Sequence, residues 1–203
     1  MAKKKKVDVD VSTEEKIKIA ARTVFTRKGY AATRTRDIAE EAGINLALLN
    51  YYFRSKEKLF QMIMLEKMTS FLGAIVPVFD NTSITLEQKI ETITSNYIEM
   101  LNENPDIPLF ILSELRTNPG SLVNRLPVDR LAQSSFFKQL HKKKPDLHPT
   151  QFLMNLLGLT VFPFVMKPIL EYGGLLPAKA FQAQMLQRKA LIPKWIKAMM
   201  KVV

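Results

Sequence analysis

The sequence predicts an all-α protein: an N-terminal three-helix domain carrying a helix-turn-helix, followed by a larger C-terminal helical domain. Apolar residues recur at i, i+3 and i+4 along most of the 203 residues. No long alternation of β-branched residues interrupts them, and glycine is scarce, with seven in all against 12 phenylalanines. Hydrophobic residues make up 47% of the chain, enough to build a core and too many for a disordered polymer.

Taken in order, Thr13 to Lys28 predicts a first helix. Ser12 or Thr13 can cap it, and Glu14 and Glu15 suit its positive end. Ile17, Ala20, Ala21, Val24 and Phe25 form one apolar stripe, and Gly29 is the expected stop. Ile38, Ala39 and Ala42 give a second short helix its apolar face, and Gly43 ends it at a point that needs positive φ. Asn45 can cap a third helix over Leu46–Phe53, with Leu49 and Phe53 turned inward. Asn50, Tyr51 and part of Tyr52 then face outward, and small Ala39 lets the two short helices cross closely. This is the pattern of a helix-turn-helix, whose second helix enters the DNA major groove. An ordinary helical hairpin would show the same periodicity. What separates the two is the basic rim of Arg34, Arg36, Arg54, Lys56 and Lys58 with Thr33 and Thr35, residue types that suit phosphate.

Residues 14–60 resemble the DNA-binding domain of tetracycline-repressor-type (TetR family) regulators. The matching pieces are Phe25 with Gly29-Tyr30, then Thr33, Thr35-Arg36-Asp37-Ile38-Ala39 and Ala42-Gly43-Ile44. They continue through Tyr52-Phe53-Arg54-Ser55-Lys56-Glu57-Lys58-Leu59-Phe60. The resemblance implies DNA contacts from Thr33, Arg34, Thr35, Arg36, Asn45, Leu46, Asn50, Tyr51, Tyr52 and Lys56, with Lys56 on a phosphate at the start of the fourth helix. One position departs from the family. A tyrosine usually stands three residues before the phenylalanine that closes the recognition helix, and here that residue is Asn50. Base contacts made by the family tyrosine therefore do not carry over.

Charge agrees with a nucleic-acid partner. Residues 1–60 hold 14 Lys and Arg against 8 Asp and Glu, over half of the whole chain's excess of +11 in under a third of its length. An acidic lipid surface is the competing partner, but the N-terminal helices offer no exposed Trp or Leu for insertion. Residues 1–11, with Lys3–Lys6, read as a disordered basic tail. No apolar core follows those lysines, so no export signal is expected. The chain lacks cysteine, which excludes disulfides and thiolate chemistry and is compatible with the cytoplasm, the expected location.

Downstream of the DNA-binding domain at residues 12–60, residues 61–203 read as an effector-binding and dimerisation domain. Ser55 caps a long fourth helix, about Lys56–Phe79. A fifth follows over Thr85–Asn104 and a sixth over Ile107–Thr117, whose Leu109-Phe110-Ile111-Leu112 is apolar almost all round and predicts burial on every side. Asn118-Pro119 opens another helical region, and Pro127 splits it. Phe136, Phe137 and Leu140 carry on its apolar face, and the lysines after His141 complement a helix C-terminus. His141, Asp146 and His148 share no face at metal-ligand spacing, so no metal or other cofactor is expected. Candidate pocket residues are Phe71, Tyr97, Phe110, Glu114 and Phe137.

Leu147–Met166 carries no formal charge. A membrane span is considered and set aside because His148, Pro149, Gln151, Asn155 and Pro163 interrupt it. A partner subunit is the natural cover for such a helix together with the last one, Ala178–Lys201, which Pro193 should kink. The expected interface is Phe152, Leu156, Leu159, Phe162 and Met166 with Phe181, Met185, Ile192 and Trp195. Together with the family resemblance, these features imply a homodimer on a palindromic double-stranded operator, most simply a repressor, released by an apolar or amphipathic small molecule. A constitutive DNA-binding dimer is the second reading. The third, an enzyme with a basic appendage, lacks a nucleophile–base pair, a metal cluster or a phosphate loop to support it.

Overall fold

The computed structural model describes residues 12–117, 119–120, 124 and 126–202. The Lys3–Lys6 tail and the start of a helix at Asn118 lie outside the described residues. Among those described there is no strand, and the chain divides into two compact units, Met1–Glu66 and Lys67–Val203.

In the first unit, α1 (Thr13–Ala32) starts where the Ser12 hydroxyl accepts the Glu15 N–H, and it buries Ile17, Ala20, Ala21, Val24 and Phe25. Gly29 leaves the helix at φ 73°, a conformation that disfavours any residue with a Cβ; the regular helix ends there and only a short turn follows. α2 (Thr35–Glu41) is capped by Asp37, whose carboxylate accepts the Arg34 N–H at 2.9 Å. That backbone bond, with Lys28 at 3.1 Å, holds the Asp37 carboxyl below the usual range. Gly43 at φ 66° closes the turn, and Asn45 Oδ1 accepts the Leu48 N–H to start α3 (Leu46–Tyr52). Ile38, Ala39, Leu49 and Phe53 are buried, as the periodicity requires.

α4 (Lys56–Asp80) begins with Lys58 N–H on the Ser55 hydroxyl. Its first turns pack Phe60 against Phe25 and Tyr30, with ring centroids 5.0 and 4.5 Å apart. Glu66 receives Arg22 and Lys18 of α1; Glu14, with help from Glu66, raises the Lys18 pKa above its ordinary value, and Glu66 with Glu15 raises that of Arg22.

The second unit contains the rest of α4 and six further helices among the described residues. α5 (Leu86–Glu103) opens with a capping box in which Thr85 and Gln88 each bond the other's backbone N–H. α6 spans Ile107–Thr117; α7 (Val128–Ala132) and α8 (Ser135–Lys143) are divided from it as Pro127 predicts. α9 (Pro149–Tyr172) and α10 (Ala178–Val202) pack on each other and on α5. His148 caps α9 through its ring nitrogen, which accepts the Thr150 N–H. α6 corrects an expectation: Ile107 and Phe110 turn inward, but Leu109 and Leu112 are exposed. A helix apolar all round is thus not covered all round within this subunit.

Two cations, Lys89 buried and Arg188 half-buried, hold backbone carbonyls. Lys89 has no exposed surface and donates to the Phe79 carbonyl near the end of α4 and to the Ser135 hydroxyl. Burial pushes its ammonium pKa down, with Asp80 pulling the other way. In α9, Pro163 has no N–H to give the Leu159 carbonyl four residues back. Arg188 of α10 supplies one instead, at 2.8 Å, while its guanidinium lies 5.0 Å from the Trp195 ring centre.

Candidate functional site

The outward face of α3 carries Asn50, Tyr51 and Tyr52. Tyr51 is 80% exposed, and its ring stands edge-on to Tyr52 at 5.4 Å. Leu49 on the opposite side is fully buried, so a two-turn helix is anchored by one leucine and its Asn45 cap. Arg34 and Arg36 at the start of α2 are exposed, as are Arg54 and Lys58, while Thr35 and Leu46 are half-buried. Asn45 is exposed too, but its side-chain oxygen is already engaged by the cap.

Two predicted DNA contacts turn inward. Thr33 is 1% exposed and its hydroxyl donates to the Gly29 carbonyl at 2.7 Å, so it stabilises the end of α1 rather than meeting a phosphate. Lys56 folds back: Nζ donates to the carbonyls of Tyr30 and Thr33 at 2.8 and 2.9 Å and sits 4.2 Å from the Tyr30 ring centre. The Gly29 break frees these carbonyls, and a cation at the start of α4 takes them up. Sequence reasoning placed Lys56 correctly at the helix start; only the tertiary approach of the α1 end decides where the ammonium points. Lys56→Met should lower unfolding free energy by about 1–2 kcal/mol, since half-buried carbonyls lose a charged donor. The salt dependence of DNA binding should stay unchanged, as measured by urea unfolding and a salt titration. A slope reduced by about one would instead make Lys56 a phosphate ligand.

The second unit contains a cavity of about 570 Å³. Phe71, Leu72 and Ile75 of α4 form one wall, Ile93, Tyr97 and Met100 of α5 another, and Leu153 and Leu156 of α9 a third. Phe137 of α8 also lines it. Of the predicted pocket residues, Phe71, Tyr97 and Phe137 come together there. Phe110 is packed in the core, and Glu114, on the same helix, is not part of the lining. No charged side chain lines the walls, and their side-chain hydroxyls are those of Tyr97 and Thr150. Burial pushes the Tyr97 phenol up to about 12. The methionines and the α7 residues Leu131 and Ala132 in the lining were missed; a five-residue helix leaves too little periodicity to mark a face.

The predicted interface residues divide. Phe152, Leu156, Phe181, Met185 and Ile192 are buried inside the subunit, at the face where α9 and α10 meet the other helices, and are therefore not available to a partner. Phe162 is 57% exposed, Trp195 is also exposed, and Leu159 and Met166 are half-buried. Met154, Ile169, Leu186 and Leu191 are exposed with them and leave the two helices an apolar outer side. α4 and α9 are both long and apolar enough to cross a membrane, and only 17% of the apolar window of α9 is buried within the subunit.

Comparison with known proteins bears on this arrangement. Residues 19–63 match the family described as bacterial regulatory proteins, tetR family. The probable HTH-type transcriptional regulator YttP of Bacillus subtilis is 24% identical over 164 residues, 76% of this chain and 78% of that protein. A TetR-family regulator from Mesorhizobium loti superposes with a TM-score of 0.60 at 21% identity, covering 92% of this chain and 96% of the other. FadR from Bacillus subtilis, solved in complex with stearoyl-CoA, gives 0.57 at 16% identity over 88% and 96%. Both likenesses are of fold. Residues 19–63 are thus a DNA-binding domain of the TetR regulator family, and over most of its length the chain is similar to transcriptional regulators that carry this domain.

Proposed function

We propose that this regulator is a cytoplasmic homodimeric repressor, released from a palindromic operator by an apolar or amphipathic small molecule. The cavity carries this reading. Its 570 Å³ lies in the range of small-molecule sites, and α4, the helix that opens beside α3, forms a wall of it. A ligand that favours one position of α4 shifts the separation of two recognition helices and so the affinity for a two-part operator. The stearoyl-CoA bound by the FadR protein of Bacillus subtilis is an instance of an amphipathic ligand on this fold. The outer face of α9 and α10 supports the dimer, because an apolar surface of this extent needs cover and a two-fold partner presents the same face in return. Lipid is the other possible cover for α9, but Glu171, Lys167 and the basic side chains of α10 lie along the same pair of helices.

The test is operator selection from a random library, followed by gel-shift with and without stearoyl-CoA as first probe. Inverted half-sites, with release by an acyl ligand that a cavity-filling Leu153→Trp variant resists, are expected. A single half-site, or binding insensitive to every ligand that occupies the cavity, overturns the proposal.

The same selection addresses Asn50. Its amide can bond adenine N6 and N7 together, a pairing that discriminates by about 1–3 kcal/mol. Asn50→Ala should therefore relax selection at one base position per half-site while leaving the melting temperature in place, because Asn50 is exposed. Identical base preferences in both proteins would transfer readout to Tyr51 and Leu46.

A further inference from the structure

We propose that the group recognised inside the cavity is an uncharged hydrogen-bond acceptor, such as an ester, thioester or ketone carbonyl on an aliphatic chain, held by the Tyr97 hydroxyl. This rests on the reading of the cavity as the effector site.

The wall leaves one polar side chain uncommitted. The Thr150 hydroxyl is already 2.8 Å from His148 Nδ1. The Tyr97 hydroxyl has no hydrogen-bond partner among the described residues, although the ring is held in place by Phe71, edge-on with centroids 4.6 Å apart. Tyr97 is half-buried and lines an apolar cavity, so an unpartnered hydroxyl on it is free for a ligand or water. The phenol stays protonated, since burial raises its pKa to about 12, so it offers an O–H donor and no charge. A carboxylate or an ammonium would enter a wall with no countercharge, which strongly disfavours it. A ligand alcohol or amide would accept a hydrogen bond from the phenol and bring a donor of its own, for which the side chains of the lining offer the oxygen of Thr150, on an exposed residue, and no buried acceptor. An acceptor-only group leaves nothing unpaired. At ~30 Å³ per water-sized group the cavity holds roughly 19 heavy atoms, so the carbonyl would sit on a long chain whose charged end, if it has one, lies outside. Because Phe71 belongs to α4, the anchor also reaches the helix whose position the ligand must select.

The test is displacement of Nile red from the full-length protein at pH 8 by three probes delivered from cyclodextrin: methyl tetradecanoate, heptadecane of matched length, and tetradecanoate. The ester should displace about fivefold more effectively than the alkane, the factor a net hydrogen bond contributes. The carboxylate should be weaker than the ester. In Tyr97→Phe the ester should fall to the level of the alkane, with the alkane unchanged. Equal displacement by ester and alkane, or by ester and carboxylate, in the unmodified protein overturns the inference, and that comparison needs no variant to fold. An ester advantage that persists in Tyr97→Phe overturns it as well. Leu153→Trp separates the two levels. If it blocks the probe while the ester has no advantage, only the acceptor assignment fails. If it binds all probes like the unmodified protein, the cavity reading fails and the assignment with it.

Discussion

Phe162→Glu should dissociate the proposed dimer into folded monomers. Phe162 is 57% exposed on the subunit, so glutamate there meets solvent and leaves the subunit core intact. In a two-fold interface the substitution occurs twice, and each carboxylate would be buried against the apolar outer face of α9 and α10. Truncating a central aromatic anchor costs about 2–4 kcal/mol, and burying an uncompensated charge adds to it. The dimer constant should therefore weaken by a factor on the order of a thousand or more. Sedimentation velocity over a dilution series measures the change, and the helical circular dichroism signal should be retained. Operator affinity should drop with it, because two half-sites would no longer be held by one particle. A variant that sediments as the unmodified dimer would place the interface elsewhere.

Phe136→Ala should cause the largest loss of stability of any single substitution considered. Phe136 is fully buried and its ring centre lies 4.7 Å from Phe79, 5.3 Å from Phe137 and 5.5 Å from Phe152. It thereby joins α4, α8 and α9. Truncation of such a residue costs about 3–5 kcal/mol through lost transfer energy and the cavity left behind. Phe79 and Phe137 also line the ligand cavity, so the enlarged space should bind small apolar molecules less selectively. Urea unfolding gives the difference directly. Leu112→Ala on the exposed side of α6 is the control and should stay within about 0.5 kcal/mol. A loss below 1 kcal/mol at Phe136 would mean that the three helices close over the gap.

The fold was largely legible because periodicity, capping and breakers agreed locally. Ser12, Gly43, Asn45, Ser55 and Thr85 mark ends that the structure places within a residue or two, and Gly29 marks a break in α1 three residues before its end. The recognition helix was legible for the same reason, since Leu49 and Phe53 fix which side faces out. What local pattern cannot supply is which apolar surface meets which. Phe152, Leu156 and Phe181 were assigned to a partner but serve the subunit's own core, because a helix apolar on every side gives no sign of which stripe faces home. The same limit applies to Phe110 and Leu109, adjacent in α6 and opposite in burial. Lys56 and Thr33 turn inward through chemistry rather than pattern: both suit phosphate, and both also suit carbonyls at the Gly29 break, that of Gly29 four residues before Thr33 and that of Tyr30 26 before Lys56.

The geometry that joins Pro163 and Arg188 should constrain the order in which the two can be substituted. With proline at 163, the Leu159 carbonyl depends on Arg188, and Arg188 Nε remains buried without a partner among the described residues. A lineage that lost the arginine first would pass through an orphaned carbonyl in apolar surroundings, whereas one that first regained an N–H at 163 would not. The two positions therefore need not change in either order. Related sequences should carry the pair together, or lack the proline before they lack the arginine, and the effect of either substitution should depend on the state of the other.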